Sequence, residues 1–440
     1  MTTPEEGLEL TRVGPGTVMG ALMRRYWVPA ALSSELPADG GPMRLMLLGE
    51  KLIAFRDNAG KVGIMDHRCP HRCASLFFGR NEQGGIRCVY HGWKFDTEGR
   101  CTDMPNLPAH QDFKDKVRAR AYPTAERNGL IWVYMGRETV MPPLPELEAT
   151  LLPAEDVQLT MIQRECNWLQ ALEGDIDTSH FSWLHFGAIQ PEDIDPASTS
   201  RYNALNRAPE YYSTETDWGT MYGAWREAAD DQTYWRVAHF MFPFWTITPE
   251  SPFSHQVAHR AWVPMDDTHT MMLAVVWKGR RANARVDRQG NPFPGAKPGG
   301  IPLQPNTTDW YGRWRPVQNA ANDYLIDRDV QRNGSYTGIE GIIMQDQAVT
   351  ESMGPITDHG FEHLAPSDRM ITQTRRRLLR AARALRDKGE APPAADDPSV
   401  YLGARGGEFL APKALGWPEV YRHALASIAD PTGRFAQAAE

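Results

Sequence analysis

A chain of 440 residues, 41% hydrophobic and 23% charged, has a globular composition, is too apolar for disorder and is longer than one domain of common size. A formal net charge of −8, from 47 Lys and Arg against 55 Asp and Glu, argues against a nucleic-acid partner. Five cysteines are too few for a disulfide framework and point to a reducing cytoplasm; an acidic start and the lack of long apolar runs predict neither a secretory signal nor a membrane span.

The segment VGPGTVMGALMRRYWVPAAL opens on a Gly-Pro-Gly turn and continues with apolar residues at helical spacing, which predicts a short helix ending at Pro29. From Met43 the runs RLMLLGE, KLIAFRD and KVGIMDH read as strands, with Asn58-Ala59-Gly60 as a hairpin turn between the last two. Thr97-Glu98-Gly99 is a further turn, and ARAYPTAERNGLIWVYMG supplies closing strands. These elements describe a small antiparallel β domain whose loops can converge on one site.

Two of those loops carry Cys69-Pro70-His71 and Cys88-Val89-Tyr90-His91, separated by the sixteen residues from Arg72 to Arg87. A Cys2His2 donor set fits structural zinc or an iron–sulfur cluster. Zinc fingers commonly place both Cys before both His, whereas here each loop carries one of each. That arrangement suits a [2Fe–2S] cluster with Cys69 and Cys88 on one iron and His71 and His91 on the other; a zinc site is the alternative. Neutral imidazoles in place of two thiolates raise the reduction potential. Cys73, Cys101 and Cys166 are expected to be small buried or semi-buried thiols. The stretch CPHRCASLFFGRNEQGGIRCVYHGWKFDTEGRC resembles the Rieske domain of ring-hydroxylating oxygenases.

The Pro-rich, acidic MPPLPELEATLLPAEDV reads as a linker, which divides the chain into residues 1–150 and 151–440. Beyond it, in ECNWLQALEGDIDTSHFSWLHFG, Glu173, Asp177 and His180 have the spacing of one helical face. His185 lies about 140° around an ideal helix from His180, so the helix must bend, bulge or end if both imidazoles share a metal. Two His with a carboxylate form the facial triad of non-haem Fe(II) oxygenases, and a centre that delivers single electrons needs an acceptor. The third ligand must come from elsewhere; spacing alone leaves Asp346, Glu351 and Asp358 open.

VGPGTVMGALMRRYW and NWLQALEGDIDTSHFSWLH look like the phthalate-dioxygenase-like group of Rieske non-haem iron oxygenase α subunits, which includes aryl-ether O-demethylases. The resemblance implies an α+β fold, with an N-terminal antiparallel β Rieske domain and a C-terminal helix-grip-type catalytic domain of antiparallel sheet and helices. It assigns iron to His180, His185 and Asp346, the last in a Q-D-x-A context. Asp177 becomes an acid that bridges to a cluster histidine across a subunit boundary, in a homotrimer. The implied activity is that of a terminal oxygenase acting with dioxygen on an aromatic, carboxylated substrate. Its electrons come from NAD(P)H through a separate flavin- or ferredoxin-type reductase, since the chain has no G-x-G-x-x-G fingerprint of its own. O-demethylation and simple electron carriage are the alternatives.

Between the iron-binding stretches, YWRVAHFMFPFWTITPE and HRAWVPMDDTHTMMLAVVW read as aromatic-rich strands, able to line an apolar cavity or to build core. Arg207 or Arg236 is the candidate for holding a substrate carboxylate. Arg280 to Asn306 reads as a long Gly/Pro-rich loop, lid-like in composition. DRMITQTRRRLLRAARALRDKGE is an amphipathic helix whose basic face is either solvated or a reductase surface.

Overall fold

The computed structural model describes residues 2–138, 140–280, 285–297, 299–428, 430 and 432. Three small antiparallel sheets fill the N-terminal third. Met43–Leu47, Glu50–Arg56, Val62–Asp66 and Ala121–Tyr122 make the first; Arg80–Glu82, Gly85–Arg87, Lys94–Asp96 and Cys101–Asp103 make the second. In the third, Leu130–Tyr134 lies between Trp27–Leu32 and Thr124–Arg127. The turn before Val62 closes with the Asp57 N–H donating to Lys61 O at 2.9 Å, and Gly60 supplies the left-handed residue at φ 86°. The predicted helix is shorter than its apolar spacing implies. It covers Val18–Met23, because Trp27–Leu32 is drawn into a strand against Leu130–Tyr134. A further helix, Pro4–Thr11, precedes it, closed by a reciprocal Thr3–Glu6 capping box.

The larger part is an antiparallel sheet of eight strands. Their order is Val157–Arg164, Thr270–Trp277, Ala258–Pro264, Trp245–Ile247, Gln232–Met241, Gly219–Glu227 and Glu210–Glu215, with Gly407–Pro412 also paired to Gln232–Met241. Helix α1, Trp168–Ile176, packs on this sheet; α2, Ile342–Ser352, packs on α1; and α3, Arg369–Lys388, lies against Gly219–Glu227. The α+β class and the antiparallel sheet are those expected. Phe240, Phe242, Phe244, Trp245 and Trp262 are buried in the core. The aromatic stripe is therefore packing, at about 1.5–3 kcal/mol per buried ring, and none of these five rings lines the recesses beside His180, His185 and Asp346.

Two segments differ in part from their sequence reading, and a third agrees with it. In the Pro-rich segment Leu147 to Thr150 are buried, and Glu148 pairs with Arg405 at 2.6 Å, so it is packed and not an exposed tether. Two arginines of α3 are turned inward, Arg375 pairing with Glu173 and Glu362 and Arg377 donating to the carbonyls of Thr216 and Gly219, while Arg383 and Arg386 pair with Glu9 nearer the surface. Arg376, Arg380, Arg386 and Lys388 remain exposed, so part of the basic face is solvated as expected. Residues 285–297 and 299–306 form no regular element; 281–284 and 298 of the predicted loop lie outside the described residues. Among the described residues no helix is long and apolar enough to cross a membrane.

Candidate metal centres

The two cluster loops repeat one backbone pattern. The Cys69 N–H donates to Ala74 O and the Cys88 N–H to Trp93 O, both at 2.8 Å; the Cys73 and Gly92 N–H groups return to Cys69 O and Cys88 O, both at 2.9 Å. The fifth residue of each turn is left-handed, Cys73 at φ 59° and Gly92 at φ 83°. Cys73 is accordingly exposed, contrary to the buried or semi-buried thiol expected, because the position is set by the turn and the side chain faces outward. Cys101 and Cys166 are buried.

Cys69 and Cys88 lie inside an apolar cluster with Ile53, Phe55, Met65, Leu76, Ile86 and Phe95, while His71 and His91 sit nearer the surface with ring centroids 4.4 Å apart. His71 stacks on Trp93 at 4.3 Å. Burial, then the neighbouring Cys88, pushes the Cys69 thiol up to about 12, against hydrogen bonds from the His71 and Arg72 backbone that favour the thiolate. A buried thiolate pair requires a cation. The Nδ1 of His71 is buried with no hydrogen-bond partner, as a ligand nitrogen would be. These donors fit a [2Fe–2S] cluster with mixed ligation.

At the second centre α1 ends at Ile176, earlier than the spacing of Glu173, Asp177 and His180 predicts; Asp177 is extended, at φ −102° and ψ 115°. Glu173 therefore leaves the site and is held by Arg375 at 2.6 and 2.7 Å. Asp177 Oδ1 accepts from Ser179 N and Oγ at 2.7 and 2.8 Å, closing a tight turn, and its Oδ2 lies 3.3 Å from His180 Nδ1. Phe181–His185 then forms a single π turn. Its extra residue brings His185 round to the side of His180, the geometry that ideal helix spacing denies. Arg207 clamps this turn, donating to Ser182 O, to Phe186 O at 3.1 Å and to Ile189 O at 2.9 Å. It is thereby removed as a carboxylate-binding candidate.

Asp346, on α2, completes the group. Its Oδ1 is 3.1 Å from His185 Nε2 and 3.5 Å from His180 Nε2, and the three donor atoms lie within 4.8 Å of one another. Burial raises the Asp346 carboxyl, but His185, by charge and hydrogen bond, then His180 and Arg164 bring it down to about 2, so it is ionised. Glu351 is engaged elsewhere, accepting from Glu165 N at 2.9 Å and Gln347 Nε2 at 2.7 Å. His185 Nδ1 contacts Gln345 Oε1 at 2.7 Å, a partner that spacing gave no reason to single out. A carboxylate oxygen facing two imidazole nitrogens fits a small divalent cation of the Fe(II) type.

Two recesses meet at these residues. The outer groove, about 230 Å³, runs past Leu184, Val349 and Met353. The inner cavity, about 40 Å³, is bounded by Phe181, Tyr222, Arg236, Arg260, Arg285 and Ile342. Arg260 is neutralised by Asp175 at 2.7 Å and by Glu250, and Asp175 also accepts from Thr246 and Trp262, tying the end of α1 to two strands. Arg236 meets only neutral partners, Asn203 Oδ1 at 3.3 Å and Pro249 O at 3.1 Å, with Phe181 beneath its guanidinium. Its Nε is buried with no hydrogen-bond partner. The Arg285 side chain makes neither hydrogen bond nor ion pair among the described residues; burial lowers its pKa first, the charge of nearby Glu250 opposes this, and Arg260 and Arg280 add to the lowering. Sequence analysis placed it only in a loop.

Residues 26–120 match the Rieske [2Fe-2S] domain family and residues 133–420 the family described as LigXa C-terminal domain like. The chain is 50% identical over 432 residues to the 3-chlorobenzoate-3,4-dioxygenase oxygenase subunit of Comamonas testosteroni, covering 97% of this chain and 100% of that one. It is 37% identical over 394 residues to the phthalate 4,5-dioxygenase oxygenase subunit of Pseudomonas putida, covering 87% of each. The fold is that of NdmA from Pseudomonas putida CBB5, solved as a QL mutant with caffeine: TM-score 0.55 and 19% identity over 86% of this chain and 96% of that one. With the donor sets described above, these similarities identify the cofactors as a Rieske [2Fe–2S] cluster and a mononuclear non-haem iron, supplied with electrons by a separate protein. The chain belongs to the Rieske non-haem iron oxygenases, as an oxygenase subunit of the phthalate-dioxygenase-like group.

Proposed function

We propose that this oxygenase hydroxylates an aromatic carboxylic acid, with residues 1–150 carrying the cluster and residues 151–440 the mononuclear iron. In this reading Cys69 and Cys88 hold one cluster iron, His71 and His91 the other, and His180, His185 and Asp346 hold Fe(II). When bound, the two centres supply single-electron transfer and dioxygen activation. The chain's own residues bind and orient. Asp177 fixes the His180 tautomer through Oδ2 and is the acid that receives a cluster imidazole of a neighbouring subunit across the outer groove. The assembly is a homotrimer in the cytoplasm, served by a flavin- or ferredoxin-type reductase that draws on NAD(P)H.

The observation that carries the substrate class is the inner wall: among the described residues Arg236 and Arg285 form no ion pair in the cavity that also holds His180, His185 and Asp346, the nearby Glu250 being paired with Arg260 and Arg280. An unpaired buried guanidinium is costly, and a carboxylate supplies the missing charge with matching geometry. Both relatives named above act, by their names, on aromatic acids. The cavity of about 40 Å³ has room for a few waters, so a ring enters only as lining side chains turn.

Dioxygen uptake and product analysis with reductase, NADH and matched substrates test this reading. 3-Chlorobenzoate should be turned over and its methyl ester should not. Arg285→Gln should raise KM for the acid roughly thirtyfold, corresponding to about 2 kcal/mol for a lost buried charge contact. An ester consumed as well as the acid would remove the carboxylate reading. Formaldehyde from 3-methoxybenzoate, with no ring hydroxylation of any acid, would reassign the reaction to O-demethylation.

A further inference from the structure

We infer that Gln345 is a positioning residue for the mononuclear iron site, holding His185 in one tautomer, and that the backbone of the Gly/Pro-rich loop holds Gln345. The inference rests on the proposal that His185 is an iron ligand. Gln345 is buried, and all three of its polar contacts are fixed. Its Nε2 donates to Gly295 O at 3.0 Å and to Ile339 O at 2.9 Å, and its Oε1 lies 2.7 Å from His185 Nδ1.

Two carbonyl oxygens can only accept, so the atom facing them is the amide nitrogen and the atom facing His185 is the oxygen. An amide oxygen can only accept in turn. His185 Nδ1 therefore carries a proton; in the neutral imidazole that a metal ligand must be, this leaves the lone pair on Nε2, on the side of Asp346 3.1 Å away. A neutral imidazole free to exchange tautomers would present that lone pair only part of the time.

The loop is tied to the same point by more than one bond. Gly295 O also accepts from the Gly341 N–H at 3.0 Å, next to the start of α2, and the Lys297 N–H donates to Glu340 Oε1 at 2.9 Å. Gly295 is left-handed at φ 80°, and a Cβ there would meet Gln345 Nε2 at 2.9 Å. Glycine is what lets the loop backbone reach the amide. The segment that composition marks as a lid is, at Gly295, a brace behind an iron ligand.

The test measures Fe(II) affinity of the mononuclear site by chelator competition, with the cluster's visible spectrum as the check on folding. Gln345→Leu should weaken Fe(II) binding roughly 10–100-fold, the usual loss when a ligand histidine loses its outer partner. In protein with Co(II) at this site, the slowly exchanging Nδ1–H signals of His180 and His185 should fall from two to one, which a merely structural role would not produce. Gln345→Glu, which keeps an acceptor opposite Nδ1, should bind Fe(II) more tightly than Gln345→Leu. Wild-type affinity in Gln345→Leu, retention of both signals, or a glutamate variant no better than the leucine one each overturns the inference. His185→Ala separates this from failure of the underlying site: if it keeps full mononuclear iron, His185 is not a ligand and both readings fall. Should Gln345→Leu lose the cluster spectrum, Gly295→Ala carries the same test, with weakened Fe(II) binding expected and unchanged binding overturning the brace.

Discussion

In the cluster region, four donors come from two loops that reproduce one turn, closed by their own backbone hydrogen bonds at 2.8 and 2.9 Å. At the second centre the donors come from a π turn and from α2, and the neighbours His185 and Gln345 stand 160 residues apart in sequence. The first region needs little beyond its own strands to present its donors. The second depends on buried tertiary contacts: Asp175 pinned to Arg260, Thr246 and Trp262, Arg207 on the π turn, and Gln345 braced by Gly295. Substitutions at the second centre should therefore spare the first.

The largest effect is expected from His180→Ala. Iron content should fall from about three to about two per chain and turnover should reach background, with the visible spectrum of the cluster intact. A bleached variant would mean that the two regions are not independent, or that the donors are misassigned. Asp177→Asn acts more narrowly. Both metals should remain, while single-turnover electron transfer to the iron slows roughly 10–100-fold as the shared carboxylate is lost. Unchanged kinetics would remove the bridging role.

The same contrast explains what could be read in the sequence. Cys69, His71, Cys88 and His91 are visible as a pattern because their chemistry is local and each pair sits in one turn. His180, His185 and Asp346 come together as the resemblance implied, but residue spacing could not choose Asp346 over Glu351. That choice is made by α2 packing on α1, which turns Asp346 inward and gives Glu351 to Glu165 N and Gln347. Glu173 carried the right spacing for a helical face and is excluded only because α1 stops at Ile176. Arg285 has no local signature, being a loop cation until the fold sets it beside the cavity; Gln345 stands in the Q-D-x-A context of Asp346, but nothing local says that its amide meets His185. The aromatic stripe shows the opposite failing, since strand periodicity identifies a buried face without saying whether ring or substrate fills it.

Acid should act mainly on the iron-binding half. His239 and His259, on strands of the large sheet, are held by burial at about 4 and about 3, and both ring nitrogens of His259 are buried without a hydrogen-bond partner. The folded state keeps them neutral, whereas the unfolded chain protonates them near pH 6.5, so their stabilising effect is complete above that pH and is lost as pH falls towards the folded values. Between pH 7 and pH 5 each should remove roughly 2 kcal/mol. The urea midpoint followed by tryptophan fluorescence should drop over this range, and His259→Leu should flatten the slope by about half. An unchanged slope in that variant would show that His259 does not control the acid response.

The smallest effect distinguishes the two cluster loops from each other. Cys73 and Gly92 hold equivalent left-handed positions, but only Gly92 is crowded, since a Cβ there would meet Pro105 Cγ at 2.6 Å. A non-glycine residue in that conformation costs about 1–2 kcal/mol, and the freedom that glycine gives the unfolded chain offsets about 0.4–1 kcal/mol of any relief. Cys73→Gly should therefore change the unfolding midpoint by no more than the equivalent of about 1.6 kcal/mol, in the stabilising direction, with the EPR signal of the reduced cluster unaltered. An altered signal, or loss of iron, would make Cys73 a participant in the cluster. The turn geometry, which places its side chain outward while Cys69 faces the apolar interior, argues for the first outcome.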